Sequence, residues 1–261
     1  MQKSPKVLVL RTAGTNCDKE TAFAFEAVGA ECELVHINKL ISGEKNLSAY
    51  HILAIPGGFS YGDDVAAGKI LANELKCKLS DDLKNFIDAG KLIIGICNGF
   101  QILVKAGLLP GNQDLLQEAS LIINDSAKFE DRWVYLRKSQ DKCVWTKDLE
   151  EMIYLPVAHG EGKFITKDGA VLKRLKENGQ IVFQYCNSRG DFTGYPDNPN
   201  GSIENIAGIC DETGRVLGLM PHPERHVSGL QHPRWAGGKF DPEGDGKMIF
   251  RNGVEYIRKT F

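Results

Sequence analysis

The sequence has no surplus of positive charge: 32 Lys and Arg stand against 34 Asp and Glu, a net of -2 over 261 residues. General nucleic-acid or membrane-surface binding needs a basic excess or stripe and is not expected. Cys-x-x-Cys pairs are missing too. The seven cysteines, an odd number, are scattered at 17, 32, 77, 97, 143, 186 and 210. That pattern argues against a disulfide framework or zinc knuckle and for a reducing cytoplasm. Long apolar runs are absent: Val7 to Leu10 is too short for the apolar region of a signal peptide. The stretch around Leu92 to Cys97 falls well below a membrane span. There is no internal repeat, low-complexity tract or sharp compositional break. Residues 1–261 are therefore expected to form one soluble domain, with ample chain for a buried core.

What is present in the first half is alternation. Val7 to Leu10, Glu31 to His36, His51 to Ile55 and Lys91 to Ile96 read as strands. Between and after them lie helical patterns: one from Asp18, its expected cap, to Val28, then Val65 to Leu79, Asp81 to Ala89 capped by Ser80, and Asn98 to Ala106. Strands and helices alternating at this spacing make an α/β fold: a flavodoxin-like, mostly parallel sheet with helices on both faces. From about Leu121 the pattern changes to strands at Arg132 to Arg137, Ile153 to Ala158 and Ile181 to Cys186, with a helix over Val171 to Asn178. A hairpin follows, Ile206 to Cys210 and Val216 to Met220 around Asp211 to Gly214, so an antiparallel extension is expected. Arg234 to Gly246 reads as a surface loop and Lys247 to Lys259 as a closing helix.

Ligands of such sheets collect at the carboxyl ends of the strands. There Gly95-Ile96-Cys97-Asn98-Gly99 stands between an apolar strand and a helix. A nucleophile on a strained strand-to-helix turn needs small neighbours, and a helix amino terminus favours the thiolate. The N–H of Asn98 can then face a developing oxyanion. The other six cysteines read as buried structural residues.

A thiolate acting on an amide needs a base oriented by a third group. His222 ends an apolar strand between two prolines, and Glu224, two residues on, projects to the same side if the segment is extended. Alone, this pair is equally a loop, and His222, His226 and His232 as metal ligands are a weaker alternative at that irregular spacing. His36 and His51 read as structural or exposed. Pro56-Gly57-Gly58-Phe59 could aim an N–H into the site or be a plain tight turn. His159-Gly160-Glu161-Gly162 is polar, glycine-rich and suited to gripping a small polar substrate.

Together these segments resemble the class I, triad-type glutamine amidotransferases. Gly14-Thr15-Asn16-Cys17-Asp18, Phe59-Ser60-Tyr61-Gly62-Asp63 and Ala158-His159-Gly160-Glu161-Gly162 are similar, within that family, to glutaminase subunits of phosphoribosylformylglycinamidine synthases. The resemblance implies Cys97 as nucleophile, His222 as base and acid, Glu224 as orienting carboxylate, Gly58 and Asn98 as oxyanion donors, and Gln101, His159 and Gly160 near bound glutamine. It implies no metal or cofactor in this chain. ATP and Mg²⁺ are expected on a synthetase subunit that uses the ammonia, with a small accessory subunit as a second partner. Asp64-Val65-Ala66 stands where that family more often has Tyr-Leu-Arg. Another cysteine hydrolase or a non-catalytic binding module are the rival readings. Glu224 following His222 in the chain counts against an α/β-hydrolase.

Overall fold

A computed structural model describes residues 4–111, 114–237 and 242–261. Four strands are buried along almost their whole length: β1 (Lys6–Arg11), β3 (Ile52–Ile55), β4 (Leu92–Ile96) and β11 (Val216–Leu219). Their continuous Val, Ile and Leu content follows from being covered on two faces, as central parallel strands must be. At the edge beside β1 runs β2 (Glu31–His36), where only Val35 is buried. The pairing β2-β1-β3-β4-β11 is parallel throughout.

The sheet continues beyond β11 with β10 (Ile206–Cys210), β9 (Ile181–Cys186), β6 (Glu130–Lys138) and β7 (Met152–His159), each antiparallel to its neighbour. The nine-stranded sheet is thus mixed: a parallel α/β half followed by the expected antiparallel extension. A separate pair, β5 (Ala119–Ile122) with β8 (Lys163–Thr166), was not foreseen.

From β1 the chain moves outward to β2, and from β3 it moves the other way to β4. Right-handed crossovers then put α1 (Asp18–Glu26) on one face, and α3 (Lys69–Lys78) with α4 (Ser80–Asp88) on the other. Helix α5 (Asn98–Lys105) packs on β4 and α3. The carboxyl ends of β1 and β3 flank the point where the winding reverses, the usual crevice for a ligand. On the first face α7 (Lys247–Thr260) meets α1, with the Phe25 and Phe250 rings edge to face at 4.9 Å. Short α2 (Ile37–Ile41) and α6 (Gly169–Glu177) complete the helices of the described residues.

Several expectations need correction. Asp18 is the first residue of α1 and not its cap. Its carboxylate pairs with Arg11 at 2.6 Å, and Cys17 is the N-cap. Helix α3 starts at Lys69, not Val65, because Gly68 takes φ +71 there and Val65 is 72% exposed. Ser80 opens α4 without a side-chain cap. Cys77 is exposed near the end of α3, so it is not a buried structural thiol. In the expected loop over Arg234 to Gly246, positions 238–241 lie outside the described residues. Among the described residues no helix is long and apolar enough to cross a membrane.

Candidate active site

Cys97 joins β4 to α5 with φ 52° and ψ -106°, a conformation that costs a side-chain-bearing residue energy and must be held by its surroundings. Its N–H is donated to the Leu219 carbonyl at 2.8 Å, fastening the turn to β11. The bracketing glycines are required by space. A Cβ on Gly95 would come within 2.6 Å of the Gly99 carbonyl oxygen, and one on Gly99 would overlap the Ile55 carbonyl of β3. The Cys97 sulfur, 3.6 Å from the Ala158 carbonyl, is nearly buried.

The loop after β11 brings His222 to the same place. Its backbone N–H is donated to the Pro156 carbonyl on β7 at 2.8 Å, and Nδ1 lies 2.6 Å from Glu224 Oε1, both side chains being fully buried. The pair does not meet along an extended segment, as the spacing suggests. Pro223–Arg225 is a single 3-10 turn that swings the carboxylate back under the ring. Nε2 of His222 has no hydrogen-bond partner among the described residues. Burial opposes a charge on the imidazole, but the Glu224 carboxylate, Cys97 and Cys17 outweigh it and raise the ring's pKa well above its ordinary value.

Gly57 explains how the groups approach so closely. A Cβ there would sit 2.8 Å from His222 Cε1, 3.1 Å from Cys17 Sγ and 3.4 Å from Cys97 Cβ. Beside it Gly58 has φ +139°, open to glycine and strained for other residues. The Cys17 N–H is donated to the Gly57 carbonyl and the Phe59 N–H to the Gly14 carbonyl, leaving the N–H of Gly58 outside this ladder. The N–H of Asn98 belongs to the first turn of α5, which has no helical acceptor. The Asn98 side chain accepts from Ser60 and donates to Gln101 Oε1 at 2.9 Å, and Gln101 Nε2 donates to the Glu161 carbonyl at 2.6 Å. Both polar ends of Gln101 thus fix the wall of the site.

A cavity of about 130 Å³ opens over Cys97, lined by Gly58, Asp63, Gln101, Phe129, Gly160 and Glu161 among others. His159 also borders it, but its ring turns inward, with Nδ1 3.1 Å from Asn124 Oδ1. Burial there pulls the His159 pKa down to about 3, so the ring is neutral. The Asp63 carboxyl is pushed up by burial, and Lys105, 3.9 Å from Glu161, is pushed down for the same reason. Asp63 and Glu161 lie in segments the sequence marked, though neither was singled out as a site residue; Lys105, the last residue of α5, gave no signal.

Cys17 was also missed. It ends the loop after β1 and faces His222, with Arg225 Nη2 donating to its sulfur at 3.2 Å and Arg225 Nε to Glu20 at 2.9 Å. The donor atoms of Cys17, Glu20, His222 and Glu224 all lie within 4.8 Å of one another, a set that could ligate a metal, but the Arg225 guanidinium already brings a cation among them. His226 and His232 stand apart, in a ring cluster with Trp133 and Tyr154.

Residues 4–257 match the model of the CobB/CobQ-like glutamine amidotransferase domain. The chain is 49% identical over 257 residues to phosphoribosylformylglycinamidine synthase subunit PurQ of Dehalococcoides mccartyi, covering 98% of each. It is 45% identical over 269 residues to the subunit of that name from Methanococcus maripaludis, again over 98% of each. Among solved structures it resembles a chain of PurLQS from Thermotoga maritima, with a TM-score of 0.75 and 34% identity over 98% of this chain and all of that one.

Proposed function

Given that the chain belongs to the CobB/CobQ-like glutamine amidotransferase family, we propose that it is the glutaminase subunit of a phosphoribosylformylglycinamidine synthase. The observation that carries the mechanism is the approach, around Gly57, of a thiol on a strained elbow and a buried imidazole whose far nitrogen has no partner among the described residues. Cys97 attacks the side-chain amide carbon of glutamine. The N–H groups of Gly58 and Asn98 receive the oxyanion, and such donors contribute most when charge develops. His222 protonates the departing ammonia, then draws a proton from the water that hydrolyses the glutamyl thioester. Glu224 fixes the ring's orientation and supports its positive charge. Gln101, His159 and Gly160 shape the wall beside the glutamine.

The sequence has no Gly-x-x-x-x-Gly-Lys phosphate loop, and we place ATP and Mg²⁺ on the synthetase subunit, which takes the ammonia, with a small accessory subunit completing the assembly. The solved relative named PurLQS supports those partners. We read residues 1–261 as one glutamine amidotransferase domain and place it in the cytoplasm, in keeping with seven unpaired thiols. The test is ammonia release from glutamine by the chain with its synthetase, compared with Cys97→Ala. The variant is expected to lose the glutamine-dependent activity while the synthetase still works on free ammonia. Equal ammonia release by both proteins rules the mechanism out.

A further inference from the structure

The glutaminase mechanism uses one thiol at His222, yet the structure places two there. Cys17 and Cys97 come from different strand ends, β1 and β4, and converge beside Gly57 on the same imidazole. The position a Gly57 side chain would take is 3.1 Å from the Cys17 sulfur and 3.4 Å from the Cys97 Cβ. Because residue 57 is glycine, no side chain from this loop stands between the two cysteines, and the nearest atom to that point is His222 Cε1 at 2.8 Å. Arg225 sits against the Cys17 sulfur and is held there by Glu20; burial raises the Cys17 pKa and keeps it a thiol, and the guanidinium offsets part of that rise. Cys97, in turn, borders the open cavity, whereas Cys17 is sealed behind it.

We propose that Cys17 is a resolving thiol: oxidation of Cys97 by hydrogen peroxide is converted into a reversible Cys17–Cys97 disulfide that shuts off the glutaminase. In the first step the Cys97 thiolate attacks one peroxide oxygen. The S–O bond forms, the O–O bond breaks, and the departing hydroxide takes a proton to become water. In the second step the Cys17 sulfur attacks the Cys97 sulfur. The S–S bond forms, the S–O bond breaks, and the leaving hydroxide takes the Cys17 proton as a second water. Two thiols give up two electrons and the hydrogen peroxide accepts them. A trapped disulfide stops the irreversible climb to sulfinic acid, and a dithiol reductant restores both thiols. While linked, Cys97 has no thiolate and the sulfur bridge occupies the face of His222 that the amide reaction requires.

The consequence for activity rests on the function proposed above; the linkage itself does not, and mass spectrometry reads it directly. The full chain is treated with hydrogen peroxide, thiols are blocked, and peptides are mapped, alongside glutamine-dependent ammonia release before and after dithiothreitol. The expected result is a peptide pair joined through residues 17 and 97, lighter by two hydrogens than the separate peptides, with activity lost and then restored. Cys17→Ser under the same treatment is expected to give Cys97 sulfinic acid and a loss that dithiothreitol does not restore. Cys97 sulfinic acid in the wild type with Cys17 still free overturns the proposal. So does a disulfide from Cys97 to any other thiol. The wild-type map decides the matter even if the serine variant fails to fold.

Discussion

His222 hangs from Pro156: its backbone N–H is donated to the Pro156 carbonyl at 2.8 Å, although Pro156 lies on β7, at the far end of the sheet from β2. The antiparallel half therefore curls back until its last strand supports the loop carrying the imidazole. Glu224 then reaches Nδ1 through one 3-10 turn.

Removing that carboxylate changes the charge state of the ring. In Glu224→Gln the main influence raising the His222 pKa is gone while burial, which lowers it, remains. The limb of the kcat/KM profile that reports this histidine is expected to move to lower pH, with kcat reduced by about a thousandfold or more, as when a triad carboxylate is made neutral. An unmoved limb means that Glu224 does not set the ring's proton affinity.

The cavity carries two acidic groups, Asp63 and Glu161, and an amino-acid substrate brings an α-ammonium. Asp63→Asn is expected to raise KM for glutamine by about tenfold or more and to change kcat less, the signature of lost uniform binding. Steady-state kinetics with saturating partner subunits measures the split; a fall confined to kcat counts against this role.

Gly99 is a matter of space. Gly99→Ala pushes a methyl into the Ile55 carbonyl of β3 and is expected to cost about 1–3 kcal/mol. Thermal unfolding should show a Tm lower by several degrees. Gly169→Ala, where a Cβ meets nothing within 4 Å, is the control and should leave Tm near the wild-type value.

His159 gives a pH dependence of stability with a definite sign. Folded, it takes up a proton only near pH 3, against an ordinary value of 6.5. Above 6.5 neither the folded nor the unfolded ring is charged and stability is unaffected. As pH falls from 6.5 toward 3, the unfolded chain binds a proton that the folded chain excludes, so stability drops by up to about 1.4 kcal/mol per pH unit. Urea midpoints between pH 7 and 4 should fall more steeply for the wild type than for His159→Asn. Parallel slopes would show that the ring is not held neutral.

The parallel half of the fold was legible because its strands are short apolar runs ended by glycine or polar residues. The elbow at Cys97 was legible because steric demand leaves a mark in sequence: Gly95 and Gly99 have no room for a Cβ. What did not show was proximity across the sheet. Cys17 follows β1 and Arg225 follows β11, with β3 and β4 between those strands, and no local pattern records that their loops touch. The β5–β8 pair escaped because Ala119–Ile122 and Lys163–Thr166 are four residues each, too short for alternation to be read. The start of α3 was misplaced because the apolar pattern ran on through Val65, while Gly68 sets the boundary by its backbone conformation.

The pairing of β4 with β11 has the character of a ruler. Ile96 stands opposite Leu219, Cys97 is fastened to Leu219, and His222 follows three residues later. The reach from sulfur to imidazole is thus set by two bonded strand ends and a link of three residues, the last of them tied to the Pro156 carbonyl. Inserting one residue between Leu219 and His222 would lengthen the short link that carries the ring from the end of β11 and displace the imidazole from the thiol. Every residue type could be kept and the arrangement of thiol and imidazole would still be lost, because the length of this segment is itself part of the site.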